Sequence, residues 1–232
     1  MLILHRLLIF LFILFSLPNA SSADTSLVGG IGLNSSRIVI ASGEKQTMLG
    51  VRNTSPKQHF LVQSFIEDFS RNKVNDFIIT PPLFVMNPQD ENSLRIIYTG
   101  KKLPDDRETL YWINVKAIPS SESEKQGNSL KIAIQNRIRL LVRPHDLSVK
   151  FSDAPGMLQF RRDNADLIIN NPTPYYLSLV NVQVGTAKLP SNTIEPFKET
   201  YLPLPVGAKG AVSFQTVNDY GSYTPVITRA MK

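Results

Sequence analysis

Ser42-Gly43-Glu44-Lys45 sets a hydroxyl three residues before an amine, the spacing with which a lysine can serve as base toward a nucleophilic serine. Such sites need further parts. The S-D-N and K-T-G stretches that complete them in penicillin-binding proteins and β-lactamases are missing here. In those enzymes the serine also starts a helix, whereas Ser42 falls in a Gly-containing turn between strand-like runs. His5, His59 and His145 are far apart, so no metal site is expected. Asp105, Asp106 and Glu108 cluster among basic and apolar neighbours and read as ion-pairing loop residues rather than an acid–base pair. There is no G-x-S-x-G elbow, no phosphate-cradling Gly-rich loop and no cysteine for thiol chemistry. No catalytic residue, metal ligand or cofactor is therefore assigned.

One pattern remains. In Asn128–Pro144, NSLKIAIQNRIRLLVRP, the even positions are Leu130, Ile132, Ile134, Asn136, Ile138, Leu140 and Val142, while the odd ones include Arg137, Arg139 and Arg143. Alternation of period two is a β-strand signal, because successive side chains point to opposite faces. A strand this long exceeds the usual five or six residues. Its apolar face has two possible uses. Leu130, Ile132 and Ile134 either face the core of their own sandwich, or they stay open for a partner by β-strand addition, where backbone bonds give affinity and alternate side chains fill pockets.

The surrounding elements follow the same period. Strand signals fall at Arg37–Ile40, Met48–Val51, Phe60–Phe69, Phe77–Ile79, Leu83–Val85, Leu94–Tyr98 and Tyr111–Ile118, each bounded by turn residues. A polar hairpin loop, Ser120 to Ser129, leads into the long strand. Short strands at turn-punctuated intervals describe a β-sandwich. Arg143-Pro144 breaks the pattern, since proline cannot continue a central strand. Further strands are expected at Leu158–Phe160, Leu167–Ile169, Tyr175–Val184, Glu199–Leu202, Val212–Phe214 and Val226–Thr228, enough for a second, smaller sandwich.

The N-terminus stands apart. A short basic start, an eleven-residue apolar run from Leu7 to Leu17 and the small-residue region Asn19–Ala23 have the layout of a secretory signal, with cleavage expected after Ala23. The run is too short for the roughly 20 residues of a spanning helix. An exported protein without membrane insertion is expected. With no cysteine it must hold together by burial alone, and 42% hydrophobic content supplies the core. The net charge of +6 is spread along the chain without a basic arm, so no nucleic-acid partner is expected.

Thr80-Pro-Pro-Leu-Phe84, Asp106-Arg-Glu-Thr-Leu-Tyr-Trp-Ile-Asn-Val-Lys-Ala-Ile-Pro119, Asn170-Asn-Pro-Thr-Pro-Tyr-Tyr176 and Asn218-Asp-Tyr-Gly221 together give the chain a family resemblance. It resembles the periplasmic pilus-assembly chaperones of the chaperone–usher pathway, the PapD- and FimC-like family. The short Ser120–Ser129 loop and the absence of cysteine resemble its short-loop branch, which assembles rod-like pili.

The resemblance implies an all-β fold: two immunoglobulin-like β-sandwich domains arranged as an L with a central cleft. The expected division is a signal peptide at 1–23, an N-terminal domain at 24–143 and a C-terminal domain at 144–232. It implies a protein of the periplasm that is not an enzyme. Its partners would be pilus or fimbrial subunits, immunoglobulin-like domains that lack their last strand, and an outer-membrane usher that receives them. Leu130, Ile132 and Ile134 match the donor strand that fills the subunit groove. Arg37 and Arg139 match the two cationic positions that anchor the subunit's C-terminal carboxylate. The family's usual residue at the second position is lysine, and arginine keeps the charge but presents a planar fork. Glu108, Arg143 and Asp219 match an interdomain ion network that holds the cleft angle. When free, the chain is expected to self-associate and cover its open apolar face. Two other readings stay open at this level. A structural subunit or adhesin of the same pathway would need an N-terminal donor extension and an incomplete fold; an exported serine hydrolase would use Ser42 and Lys45.

Overall fold

The computed structural model describes residues 29–41, 43–120 and 132–231. The signal-like segment 1–23, Ser42, the hairpin loop beyond Ser120 and Leu130 lie outside the described residues. Nine strands come first: β1 Ile31–Leu33, β2 Arg37–Ala41, β3 Gln46–Asn53, β4 Phe60–Asp68, β5 Phe77–Thr80, β6 Leu83–Met86, β7 Glu91–Tyr98, β8 Thr109–Pro119 and β9 Ile134–Arg143. A 3₁₀ turn at Ala154–Met157 precedes eight more: β10 Gln159–Asp163, β11 Asp166–Asn170, β12 Leu177–Val184, β13 Ala187–Lys188, β14 Asn192–Ile194, β15 Glu199–Pro203, β16 Val212–Thr216 and β17 Ile227–Arg229. No helix among the described residues is long and apolar enough to cross a membrane.

Two apolar cores result. In the first sandwich the sheet β1-β3-β7-β5 faces the sheet β2-β9-β8-β4-β6. Alternation does the sorting: Phe60, Val62 and Ile66 of β4, Ile113 and Val115 of β8, and Ile138, Leu140 and Val142 of β9 point into one buried cluster with Leu49, Leu94 and Ile96 from the facing sheet. In the second, β10-β11-β15 packs against a sheet in which β12 pairs with β13, β14 and β16, and β16 with β17. Phe160, Leu167, Ile169, Leu179, Val184, Val212 and Phe214 fill that core.

The ladders correct some strand limits. β1, β13 and β14 are only two or three residues long, too short to show a period in sequence. The long strand begins at Ile134; Ile132 and Ala133 precede the ladder. Its antiparallel register with β8 pairs Ala117 with Ile134, which sets Ile132 opposite Pro119. Proline has no N–H to donate, so the ladder stops there.

The sandwiches meet through an ion network. Arg143 Nε donates to Glu108 Oε1 at 2.6 Å, and its two terminal nitrogens donate to Asp219 Oδ2 and Oδ1 at 2.7 Å each. Glu108, 1% exposed, uses its other oxygen to accept the Tyr176 backbone N–H at 2.9 Å. The guanidinium also lies over the rings of Phe151 and Tyr175, at 4.5 and 5.1 Å. Burial pulls the Arg143 pKa down, but the bonds to Asp219 and the Glu108 charge outweigh it and hold the group above its ordinary value. Burial pushes the Glu108 carboxyl up, against the pull of Arg143. The Asn218–Gly221 turn that carries Asp219 is pressed on the first sandwich. A Cβ at Gly221, which sits at φ +85°, would lie 2.2 Å from Ser36 Oγ.

Removing the cation would strand a buried carboxylate. Arg143→Met is expected to cost about 3 kcal/mol of stability. Adding Glu108→Gln should recover a good part of that loss, because the glutamine still accepts from Tyr176 and carries no charge. Urea denaturation of the two variants beside the parent checks both outcomes; a double variant no more stable than the single one would exclude the network as the cause.

Candidate functional site

The face of the β2-β9-β8-β4-β6 sheet turned away from its core carries the chemistry. Parallel pairing sets Arg37 of β2 beside Arg139 of β9, antiparallel pairing sets Arg139 beside Trp112 of β8, and Trp112 beside Glu67 of β4. Neighbouring strands lie about 4.8 Å apart, so these four side chains form one row across the sheet. The second sandwich covers the Arg37 end.

Arg37 is 5% exposed. Its terminal nitrogens donate to the Val217 carbonyl at 2.9 Å and to Ser178 Oγ at 3.2 Å, both in the second sandwich. Arg139 donates to Thr193 Oγ1 at 2.7 Å, again across the cleft, and its guanidinium lies 5.1 Å from the centroid of the Trp112 ring. The Nε atoms of both arginines are buried without a partner. Beside Arg139 opens a cleft of about 330 Å³, whose lining includes Phe69, Arg71, Trp112, Ser178, Thr193 and Val217.

What the pair lacks is an anion. Among the described residues Arg143 is paired with Glu108 and Asp219, and Arg137 with Glu67 at 3.2 Å, while neither Arg37 nor Arg139 has a carboxylate within 4.0 Å. Burial, then the neighbouring Arg139 charge, lowers the Arg37 pKa to about 10. Burial alone lowers that of Arg139. A buried cation without a counter-charge costs several kcal/mol. Arg37 with the half-buried Arg139 beside it, both with unused N–H groups, can receive a carboxylate.

The start of β9 is a second feature. β2 pairs only with Arg139–Arg143, so from Ile134 to Ile138 the edge on that side has no strand neighbour among the described residues. Ile132 is 63% exposed and Ile134 56%. Neither belongs to the core of its own sandwich, which disposes of that alternative for these two residues. One strand therefore carries a buried, core-forming half and an open apolar half, with the two unpaired arginines beside the junction. Lys45, the base of the hydrolase reading, is an exposed residue whose backbone carbonyl accepts from Tyr98.

Four groups of the site went unmarked in the sequence. Trp112 could have been singled out, since alternation through Tyr111–Ile118 puts it on the face opposite Tyr111 and Ile113. Ser178, Thr193 and the Val217 carbonyl had no local signal: they reach the cleft only through packing of the second sandwich.

The comparisons agree with this architecture. Residues 30–148 match the family described as pili and flagellar-assembly chaperone, PapD N-terminal domain, and residues 153–228 match pili assembly chaperone PapD, C-terminal domain. The probable fimbrial chaperone SfmC of Escherichia coli K12 is 46% identical over 207 residues, 88% of this chain and 90% of that one. The crystal structure of the periplasmic chaperone SfaE is similar with a TM-score of 0.77 at 38% identity, covering 86% of this chain and 98% of that one. A chain from the complex of the Salmonella enterica SafA pilin with the SafB chaperone gives a TM-score of 0.81 at 28% identity, covering 87% and 96%. The chain belongs to the PapD family of pilus-assembly chaperones, with the two immunoglobulin-like β-sandwiches of that family.

Proposed function

We propose that this chain is a periplasmic chaperone that captures fimbrial subunits by lending them the open half of β9, and hands them to an outer-membrane usher. Leu130, Ile132 and Ile134 are the residues inserted into the subunit's groove, and Arg37 and Arg139 hold its C-terminal carboxylate. The observation that carries this reading is the buried Arg37 beside the half-buried Arg139, neither with a carboxylate partner among the described residues, at the base of an unpaired strand edge with exposed isoleucines. The SafB chaperone, solved with a pilin, supports subunit binding by a relative of this fold. Nothing in this reading calls for a catalytic step. Residues 1–23 direct export; the units at 24–143 and 144–232 are the two arms of the cleft, and Glu108, Arg143 and Asp219 hold their angle.

The parts of the site divide the work. Backbone bonds along the edge give affinity but accept any register. A slip by one residue would turn the isoleucines out of the groove, so a fixed point is needed. The carboxylate on the arginines is that point. For the subunit, a borrowed strand covers an edge that would otherwise aggregate.

Periplasmic co-purification with a fimbrial subunit tests the reading. Ile134→Asp should leave the free protein's Tm unchanged, because the side chain is solvent-facing, yet lose the stoichiometric complex. Retention of the complex by that variant would remove donation as the mechanism. Arg37→Met should weaken capture by about 30-fold or more, corresponding to the roughly 2–5 kcal/mol of a broken buried charge pair. Its own Tm should not fall, since the substitution also removes an uncompensated buried charge. A destabilised Arg37→Met protein that still captures subunit would instead make the arginine a structural strut.

A further inference from the structure

The second cation of the cleft is an arginine held on two sides. Arg139 sits over the ring of Trp112, its register partner on β8 in its own sheet, and bonds to Thr193 Oγ1 of the second sandwich. A guanidinium can sit over the indole while one terminal nitrogen reaches Thr193 and its Nε stays free. An ammonium at this position would keep the charge but could not reproduce that arrangement. Arg37, by contrast, takes its two partners from the second sandwich.

We propose that Trp112 and Thr193 are positioning residues for carboxylate capture: together they hold the Arg139 fork, so that this chain reads the bound carboxylate through an arginine whose orientation is set before the ligand arrives. The inference rests on the carboxylate-anchor reading and adds two residues to it. Preorganisation of this kind lowers the cost of ordering a long, rotamer-rich side chain on binding. It also joins the anchor to both arms of the cleft.

Trp112 is the sole tryptophan of the chain, so its fluorescence reports on the cleft without labelling. The probe is a synthetic peptide of alternating apolar residues with a free C-terminal carboxylate, compared with its C-terminally amidated twin. Titration with the free-acid peptide should change the indole emission, and the amidated peptide should bind more weakly with a smaller change. With binding read by titration calorimetry for every variant, because substituting Trp112 removes the fluorophore, Trp112→Leu and Thr193→Val are each expected to weaken binding of the free-acid peptide about five- to tenfold at unchanged Tm, and to affect the amidated peptide far less. Trp112→Phe should recover much of the Trp112→Leu loss, because the ring face is kept. Arg139→Lys should bind at least about threefold more weakly than the parent, although its charge is the same.

The outcomes separate the two readings. If Arg37→Ala and Arg139→Ala both leave the preference for the free acid intact, the anchor reading itself fails; if only Arg37→Ala removes it, Arg139 is no part of the anchor and the positioning inference falls. If Arg139→Ala removes that preference while Trp112→Leu, Thr193→Val and Arg139→Lys all bind like the parent, the anchor stands and the positioning inference is overturned.

Discussion

Two guanidiniums side by side, Arg37 buried and Arg139 half-buried, with no carboxylate partner among the described residues, are the constraint around which this molecule is arranged. Nothing about folding favours that placement: each charge loses hydration, and each raises the cost of the other. It persists because the parallel register of β2 with β9 leaves Arg37 and Arg139 no other position, and because carbonyl and hydroxyl oxygens of the second sandwich accept some of their protons. Those acceptors are neutral. They satisfy hydrogen bonds without cancelling the charge, so the field of the pair stays available to an anion.

The same register explains the divided character of β9. From Arg139 to Arg143 the strand lies between β2 and β8, and its even side chains close the first core. From Ile134 to Ile138 β2 is gone, and Ile134, like Ile132 just ahead of the strand, faces solvent. Polar surroundings would not sustain a long exposed apolar edge in most proteins, since it invites pairing with other chains. Here the edge sits beside two arginines that lack a carboxylate partner among the described residues, and the proposed joint use of edge and arginines in binding one subunit would account for both departures from ordinary design.

The ion network does different work with similar residues. Arg143 is as much a part of β9 as Arg139, four residues further along the strand, yet it is fully engaged by Glu108 and Asp219. Its saturation keeps it out of competition for an incoming carboxylate. The four arginines of this sheet face are thus sorted by pairing: Arg137 and Arg143 are paired with carboxylates, and Arg37 and Arg139 are not, among the described residues.

Much of this was legible in the amino-acid order, for a physical reason. Period-two alternation is a local property, so the strands of both sandwiches, the amphipathic character of β9 and the break at Pro144 could be read directly. The family resemblance pointed to Arg37, Arg139, Glu108, Arg143 and Asp219. The short β1, β13 and β14 could not be read, because a period needs length, nor could the start of β9, which is set by Pro119 on a neighbouring strand. The sequence by itself determined which face of each strand is apolar and which residues carry charge. Only the tertiary structure decided which charges find partners. That depends on Asp219, Ser178, Thr193 and Val217 arriving from a second sandwich, tens of residues away along the chain, and no local pattern encodes such a meeting.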